Sequence, residues 1–282
     1  MRTLFSTVLS TANTANIAEV AARKPSKRAR KYLRMLKPGE EQRSMSTLKL
    51  RLLKKLKCTL KYEKLAWADG AQLVAGVDEV GRGALFGPVV AAAVILKPDY
   101  RIRGLRDSKL LLPEVRETLA ARIREHCIAY SIASVDAARV DEINIYWASL
   151  EALAMAVKNL NPVPDHVLVD ALTINVECKQ TKIIHGDALS CSIAAASIIA
   201  KVERDRWMRD FDAHYPLYGL ASNKGYSTPK HKAILREHGP SPLHRRSFAP
   251  VWMAEQPTDL FAELQQEVEE FIPTEIEGVL AE

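Results

Sequence analysis

The stretch Leu73–Pro88, LVAGVDEVGRGALFGP, decides how the rest of the chain is read. It opens as an apolar, β-branched run, Leu73-Val74-Ala75-Gly76-Val77, which predicts a buried strand of a mixed or parallel sheet. The strand delivers two adjacent carboxylates, Asp78 and Glu79. A glycine-arginine turn follows, with Gly81, Arg82, Gly83 and then Gly87. A second apolar run, Pro88–Leu96 (PVVAAAVIL), predicts the next strand. Buried carboxylates cost several kcal/mol unless a cation or hydrogen bonds compensate. For carboxylates gathered at a strand end, a divalent cation is the simplest compensation. An ordinary solvated loop start also looks like this, so the pair alone decides nothing.

The chain of 282 residues has room for one large domain or two small ones, and 48% hydrophobic residues support a sizeable core. Its charge is unevenly spread. Residues 1–70 carry 17 Lys/Arg against 5 Asp/Glu, residues 71–256 carry 23 against 21, and residues 257–282 carry none against 8. This predicts a basic N-terminal extension over 1–70, a near-neutral body over 71–256 and an acidic tail over 257–282. A basic arm beside clustered acids fits a nucleic-acid partner, although a solubilising extension has the same composition. Cys58, Cys127, Cys178 and Cys191 form no CxxC pair, which argues against zinc and a disulfide framework and for a reducing, cytoplasmic setting. No run approaches the ~18–20 apolar residues of a membrane span.

Residues 1–44 are poor in acids and contain frequent Arg, Ser and Thr. Two readings fit, a transit-peptide-like segment or sequence ahead of a later start at Met45. Residues 47–66 predict a basic amphipathic helix within an otherwise partly disordered extension, with Leu48, Leu52, Leu53 and Leu56 on one face. Further on, helical spacing predicts helices over Pro113–His126, Asp141–Leu160 and Ser190–His214, a short one ending at His238, and one over Asp259–Phe271. Strands are expected at Cys127–Val135, His166–Asp170 and Thr181–His185, and a loop over 216–232.

Three expected strands thus end in acid, at Asp78/Glu79, Asp170 and Asp187. In open α/β sheets ligands collect where strand ends meet. Four carboxylates gathered there would repel one another, and two Mg²⁺ or Mn²⁺ ions ~3.5–4 Å apart would satisfy them and serve phosphodiester hydrolysis. No Ser–His–Asp or Cys–His set competes. His185, His214, His231, His238 and His244 are expected at the surface.

The blocks GVDEVGRG, DSK, VDEIN, VLVD, GDALSCSIAAASIIAKVERD, NKGY and HRRSF occur in the order found in ribonuclease HII, and the chain resembles that family over about residues 72–250. The resemblance implies a ribonuclease H-like α/β fold, a mixed five-stranded sheet flanked by helices with a C-terminal helical part. It implies a monomeric endonuclease, with no membrane partner, that cuts the RNA strand of RNA–DNA hybrids and single ribonucleotides in duplex DNA. The products would carry 3′-hydroxyl and 5′-phosphate ends. Asp78, Glu79, Asp170 and Asp187 match the metal-binding acids, for Mn²⁺ or Mg²⁺. Gly81, Arg82 and Gly83 match a turn whose backbone reads the ribose 2′-hydroxyl. Tyr226 matches a tyrosine that stacks on the following DNA sugar. Lys109 and Asn144 match positions that touch phosphate; without the resemblance they read as a solvated lysine and a helix-start asparagine. Lys201, Arg204, Arg245 and Arg246 are expected to add nucleic-acid backbone contacts, and Asp205 to lie on a helix surface or in a structural ion pair.

Ala84, Ala171, His185 and Asn223 depart from the family's usual proline, glycine, lysine and histidine. None removes a proposed ligand. A related nuclease or recombinase on the same fold is disfavoured by the ribose-reading turn and the KGY tyrosine. A catalytically silent nucleic-acid-binding protein would not need all four acids, and a structural Ca²⁺ site in a binding module predicts metal binding without activity or ribose preference.

Overall fold

The computed structural model describes residues 56–256. Residues 47–55 of the basic helix expected over 47–66, and the whole helix expected over 259–271, lie outside the described residues; within the described part 56–60 are not helical and the helix starts only at Lys61. Strands β1 (Val74–Val80), β2 (Val89–Leu96), β3 (Cys127–Val135), β4 (His166–Asp170) and β5 (Lys179–Ile183) form one sheet in the order β3-β2-β1-β4-β5. Strands β1 and β2 pair antiparallel, as do β2 and β3, whereas β1–β4 and β4–β5 are parallel. The mixed five-stranded sheet flanked by helices is the expected architecture.

Two long helices cover the sheet. Helix α3 (Ala137–Lys158) packs on β1, β2 and β3 from one side, and α5 (Cys191–His214) packs on β1 and β2 from the other, backed by α2 (Pro113–His126). Strand β2, VVAAAVIL, is buried along its whole length because both of its faces are covered. The alanines Ala91, Ala92 and Ala93 let the helices come close. Gly76 does the same for β1: a Cβ there would lie 2.1 Å from the Ser192 carbonyl carbon of α5.

Several boundaries differ from those expected. Strand β5 runs over Lys179–Ile183, not Thr181–His185, because His185 takes a left-handed conformation (φ 60°, ψ 40°) and turns the chain into the short helix α4 (Gly186–Leu189). Helix α3 begins at Ala137, where the Asp136 carboxylate accepts from Arg139 N–H at 2.8 Å, and is interrupted at Asn144 (φ 65°, ψ 164°). The expected loop over 216–232 contains a 3₁₀ turn at Pro216–Tyr218 and helix α6 (Leu220–Asn223). Helix α7 (Pro229–His238) follows, and α8 (Ala249–Glu255) has no counterpart among the expected elements.

A second, smaller core joins the C-terminal part to the end of α5. It contains Leu85, Phe86, Met208, Tyr218, Leu220, Leu235 and Val251. The β1–β2 connection reaches into it: Ala84 bridges to Tyr226, and Phe86 bridges to His244. Ahead of the sheet, helix α1 (Lys61–Ala68) buries Glu63, whose carboxylate accepts from Ser190 Oγ at 2.7 Å and Ser192 N–H at 2.8 Å. A carboxylate at the start of α5 meets the positive end of the helix dipole.

Candidate active site

Strands β1 and β4 run parallel with Val77 opposite Val169, so Asp78 and Asp170 leave the sheet side by side. Strand alternation sends Asp78 to the α5 face with Gly76, and Glu79 to the α3 face with Val77. Asp78 is only 7% exposed. Burial pushes its carboxyl well above the usual range, and Glu79, Asp170 and Asp187 push it further, against a hydrogen bond from Ser197. Ser197 Oγ lies 2.9 Å from Ser108 Oγ, so a pair of hydroxyls supports this acid.

Burial also raises Glu79, against the pull of Arg82, whose guanidinium lies 3.2 Å away. Asp170 is raised by burial and by Asp187, opposed by the Gly186 N–H that donates to its Oδ1 at 2.7 Å. Glycine leaves room for that contact: a Cβ on Gly186 would fall 2.5 Å from Ile193 Cδ1 and 3.3 Å from Asp170 Oδ1, so the Ile193 side chain would have to move. Asp187 sits in the first turn of α4, with Lys109 Nζ 3.5 Å from its Oδ2. Burial works against the Lys109 charge, but Asp187, Asp107 and Asp78 hold its ammonium above the ordinary range. The Cys58 thiol donates to the Asp187 carbonyl at 3.4 Å.

The four acids therefore share one electrostatic environment with Lys109 and Arg82 close by. Among the described residues, no group of three or more His, Cys, Asp or Glu side chains is close enough together to hold a metal ion as it stands. The donor chemistry fits a hard divalent cation nonetheless. Every donor is a carboxylate oxygen, and Asp78 is held in a state that added positive charge would relieve. A cleft of about 770 Å³ lined by Cys58, Lys61, Lys64, Arg101 and Arg103 includes none of the four acids.

The turn after β1 is braced from below. Gly81 has φ 92°, and a Cβ there would lie 2.3 Å from Arg204 Nε. Arg245 donates to the carbonyls of Gly81 (2.8 Å), Arg82 (2.9 Å) and Gly87 (2.9 Å). Arg204 donates to the carbonyls of Pro88 (3.2 Å), Lys224 (2.8 Å) and Phe86 (3.2 Å). Both arginines are fully buried, which corrects the expectation that they contact nucleic acid. Lys201 is likewise engaged, 2.6 Å from Asp205, which is the structural ion pair considered for that acid. Arg246 is exposed and pairs with Glu255 at 2.9 Å. With its carbonyls drawn inward, the turn leaves the exposed Arg82 and Gly83 N–H groups without an acceptor among the described residues.

Tyr226 is half-buried beside this turn, its ring 5.3 Å from Arg204 Cζ and 5.7 Å from Lys201 Nζ. Asn144 is exposed, and its Oδ1 accepts from Tyr146 N–H (2.9 Å) and Trp147 N–H (3.3 Å), so it starts the second half of α3. The histidine expectation needs correcting at two positions: His231 and His244 are 0% and 1% exposed. Ser197 and Cys58 escape sequence reasoning because each acts through one contact with no periodic signature. Ser108 stands within the DSK block, but that block points to Lys109 alone.

Comparison with known proteins supports the same assignment. The ribonuclease HII family model matches residues 75–251. The chain is 64% identical over 234 residues to a ribonuclease HII of Koribacter versatilis, covering 83% of this chain and 92% of that protein. It is 55% identical over 197 residues to a ribonuclease HII of Solibacter usitatus, covering 70% and 86%. The crystal structure of ribonuclease H2 from Pyrococcus horikoshii superposes with a TM-score of 0.59 at 28% identity, over 65% of this chain and 97% of that one. Among the described residues no helix is long and apolar enough to cross a membrane. Acids at adjoining strand ends, a braced glycine turn and this sheet order agree with those matches: the chain belongs to the ribonuclease HII family and is a ribonuclease H hydrolase.

Proposed function

We propose that this protein hydrolyses the RNA strand of RNA–DNA hybrids and cuts at single ribonucleotides in duplex DNA, leaving 3′-hydroxyl and 5′-phosphate ends. The observation that carries the reading is the placement of Asp78, Glu79, Asp170 and Asp187 at one end of the sheet, next to a turn with free backbone donors. Asp78, Glu79, Asp170 and Asp187 would hold two Mg²⁺ or Mn²⁺ ions, which supply water activation and stabilise the departing oxygen of a phosphodiester.

The chain's own groups do the rest. Gly186 N–H and the Ser197 hydroxyl fix two of the acids so that they need not reorganise on substrate binding. The Arg82 and Gly83 N–H groups are available to a ribose 2′-hydroxyl, the group that separates RNA from DNA, and Gly81 lets the turn approach it. Tyr226 stacks on the next sugar. Lys109, largely exposed, and Asn144 contact phosphate. A monomer acting in the cytoplasm fits the four free cysteines.

The test is incubation of the protein with duplex DNA containing one ribonucleotide, with Mg²⁺ or Mn²⁺, beside Asp78→Asn. Cleavage on the 5′ side of the ribonucleotide, lost in the variant, is expected. Intact substrate with the wild-type protein would refute the reading.

A further inference from the structure

Segment 84–86 is the middle of three short segments, with Tyr226 bridged to Ala84 on one edge and His244 bridged to Phe86 on the other. Two buried imidazoles join those outer segments directly. His231 Nε2 and His244 Nε2 are 3.0 Å apart. The remaining ring nitrogens fix where the protons sit. Ser241 N–H donates to His244 Nδ1 at 3.0 Å, so that nitrogen is bare and the His244 proton is on Nε2. His231 Nε2 must therefore accept, and its proton is on Nδ1, which donates to the Tyr226 carbonyl at 3.0 Å.

We propose that this one-way chain, from Ser241 through His244 and His231 to the Tyr226 carbonyl, makes the two histidines positioning residues that set how Tyr226 meets the sugar after the ribonucleotide. The proposal rests on the role given to Tyr226 above. Its physical basis is restraint of one peptide plane. The Tyr226 carbonyl accepts from Thr228 N–H at 2.8 Å as well as from His231, and two donors fix its orientation. That orientation sets the direction in which the Tyr226 side chain leaves the backbone. The relay is itself held still: Phe86 and Tyr218 rings lie edge-on to His244 at 5.0 Å and 4.6 Å. Burial keeps both rings neutral, lowering His231 and bringing His244 down to about 3. A proton on both facing nitrogens would set two donors against each other, so neutrality keeps the relay intact.

The test uses the full-length protein on two duplexes that differ only in whether the nucleotide after the first ribonucleotide is deoxyribo or ribo. His231→Leu is expected to lose about three- to tenfold of the preference between them, the worth of one positioning hydrogen bond. His231→Asn, which can place a donor near the lost Nδ1, is expected to restore most of it. In a Tyr226→Ala background His231→Leu should change the preference no further, because coupled residues are non-additive. Equal loss on both duplexes, or the same loss of preference with and without Tyr226, would overturn the proposal by reducing the pair to packing. Nitrogen NMR of the folded protein gives a readout independent of activity: His231 protonated on Nδ1 and His244 on Nε2. A shared tautomer would overturn the relay. Wild-type inactivity on both duplexes would overturn the function reading and the selectivity role with it, while opposite tautomers would still establish the relay.

Discussion

Asp78 carries the sharpest conflict between stability and function. Its native pKa lies above its unfolded value because of burial and three neighbouring acids. Below about pH 4 both states are protonated and the acid costs nothing. As pH rises past that value the unfolded chain ionises first, so the metal-free protein loses stability until the native carboxyl also ionises. Asp78→Asn is therefore expected to melt a few °C higher than wild type near neutral pH without metal, with the gap closing as pH falls to about 4. Thermal scans in chelator across that range check this, and a gap independent of pH would refute it. Mg²⁺ or Mn²⁺ should raise the melting temperature of wild type and leave Asp78→Asn nearly unmoved. Ala171 is a different case. It holds φ 52° immediately after Asp170, where an L side chain costs about 1–2 kcal/mol. Glycine removes that strain but adds about 0.5–1 kcal/mol of chain entropy. Ala171→Gly should thus be neutral or up to about 1.5 kcal/mol more stable by denaturant titration. A clear loss would show that the Ala171 methyl makes contacts that outweigh the strain.

Helix α5 and the turn after β1 are legible in the sequence to different degrees. The small-residue run Ala194–Ala195–Ala196–Ser197 predicts close approach to the sheet, and the helix ends where its periodicity stops, at His214. Its internal anchors are not legible. Arg204 sits among charged residues, KVERDR, and reads as a nucleic-acid contact until the fold places six carbonyls around it and Arg245. Long-range contacts of this kind leave no local pattern. Strand β5 is displaced from its expected position for a related reason: as an edge strand it reads KQTKI, too polar for an apolar-run criterion. Arg245→Lys tests the brace. A single ammonium cannot reproduce the planar fork that serves Gly81, Arg82 and Gly87. Each buried carbonyl left unpaired costs about 1–3 kcal/mol, so a destabilisation of about 2–4 kcal/mol is expected, together with weaker discrimination for ribose. Unchanged discrimination would disconnect the brace from recognition.

Taken across the molecule, strands β1, β2 and β4 are readable because each is an apolar run, and Asp78, Glu79 and Asp170 stand where two of those runs end, whereas Asp187 lies in α4 beyond the polar edge strand β5. The second core is not, since Leu85, Tyr218, Leu235 and Val251 come from separate segments. Charge is distributed on the same large pattern, with 17 Lys/Arg against 5 Asp/Glu over residues 1–70. If that arm grips duplex, deleting residues 1–55 should flatten the dependence of log K on log salt by about 0.9 for each phosphate the arm had neutralised. An unchanged slope would leave the arm a solubilising role. Within the described part of that basic stretch, segment 58–66 is tied to the body. Thr59 bridges to Ser190, Cys58 bonds the Asp187 carbonyl, and Glu63 closes the start of α5. The matched family region begins only at residue 75. A gene trimmed to the span of that family model would therefore encode a chain in which the turn carrying Asp187 has lost its backing. For anyone preparing a minimal version of this enzyme, residue 75 is the wrong place to cut, and the 234-residue match to the Koribacter versatilis protein already reaches past it.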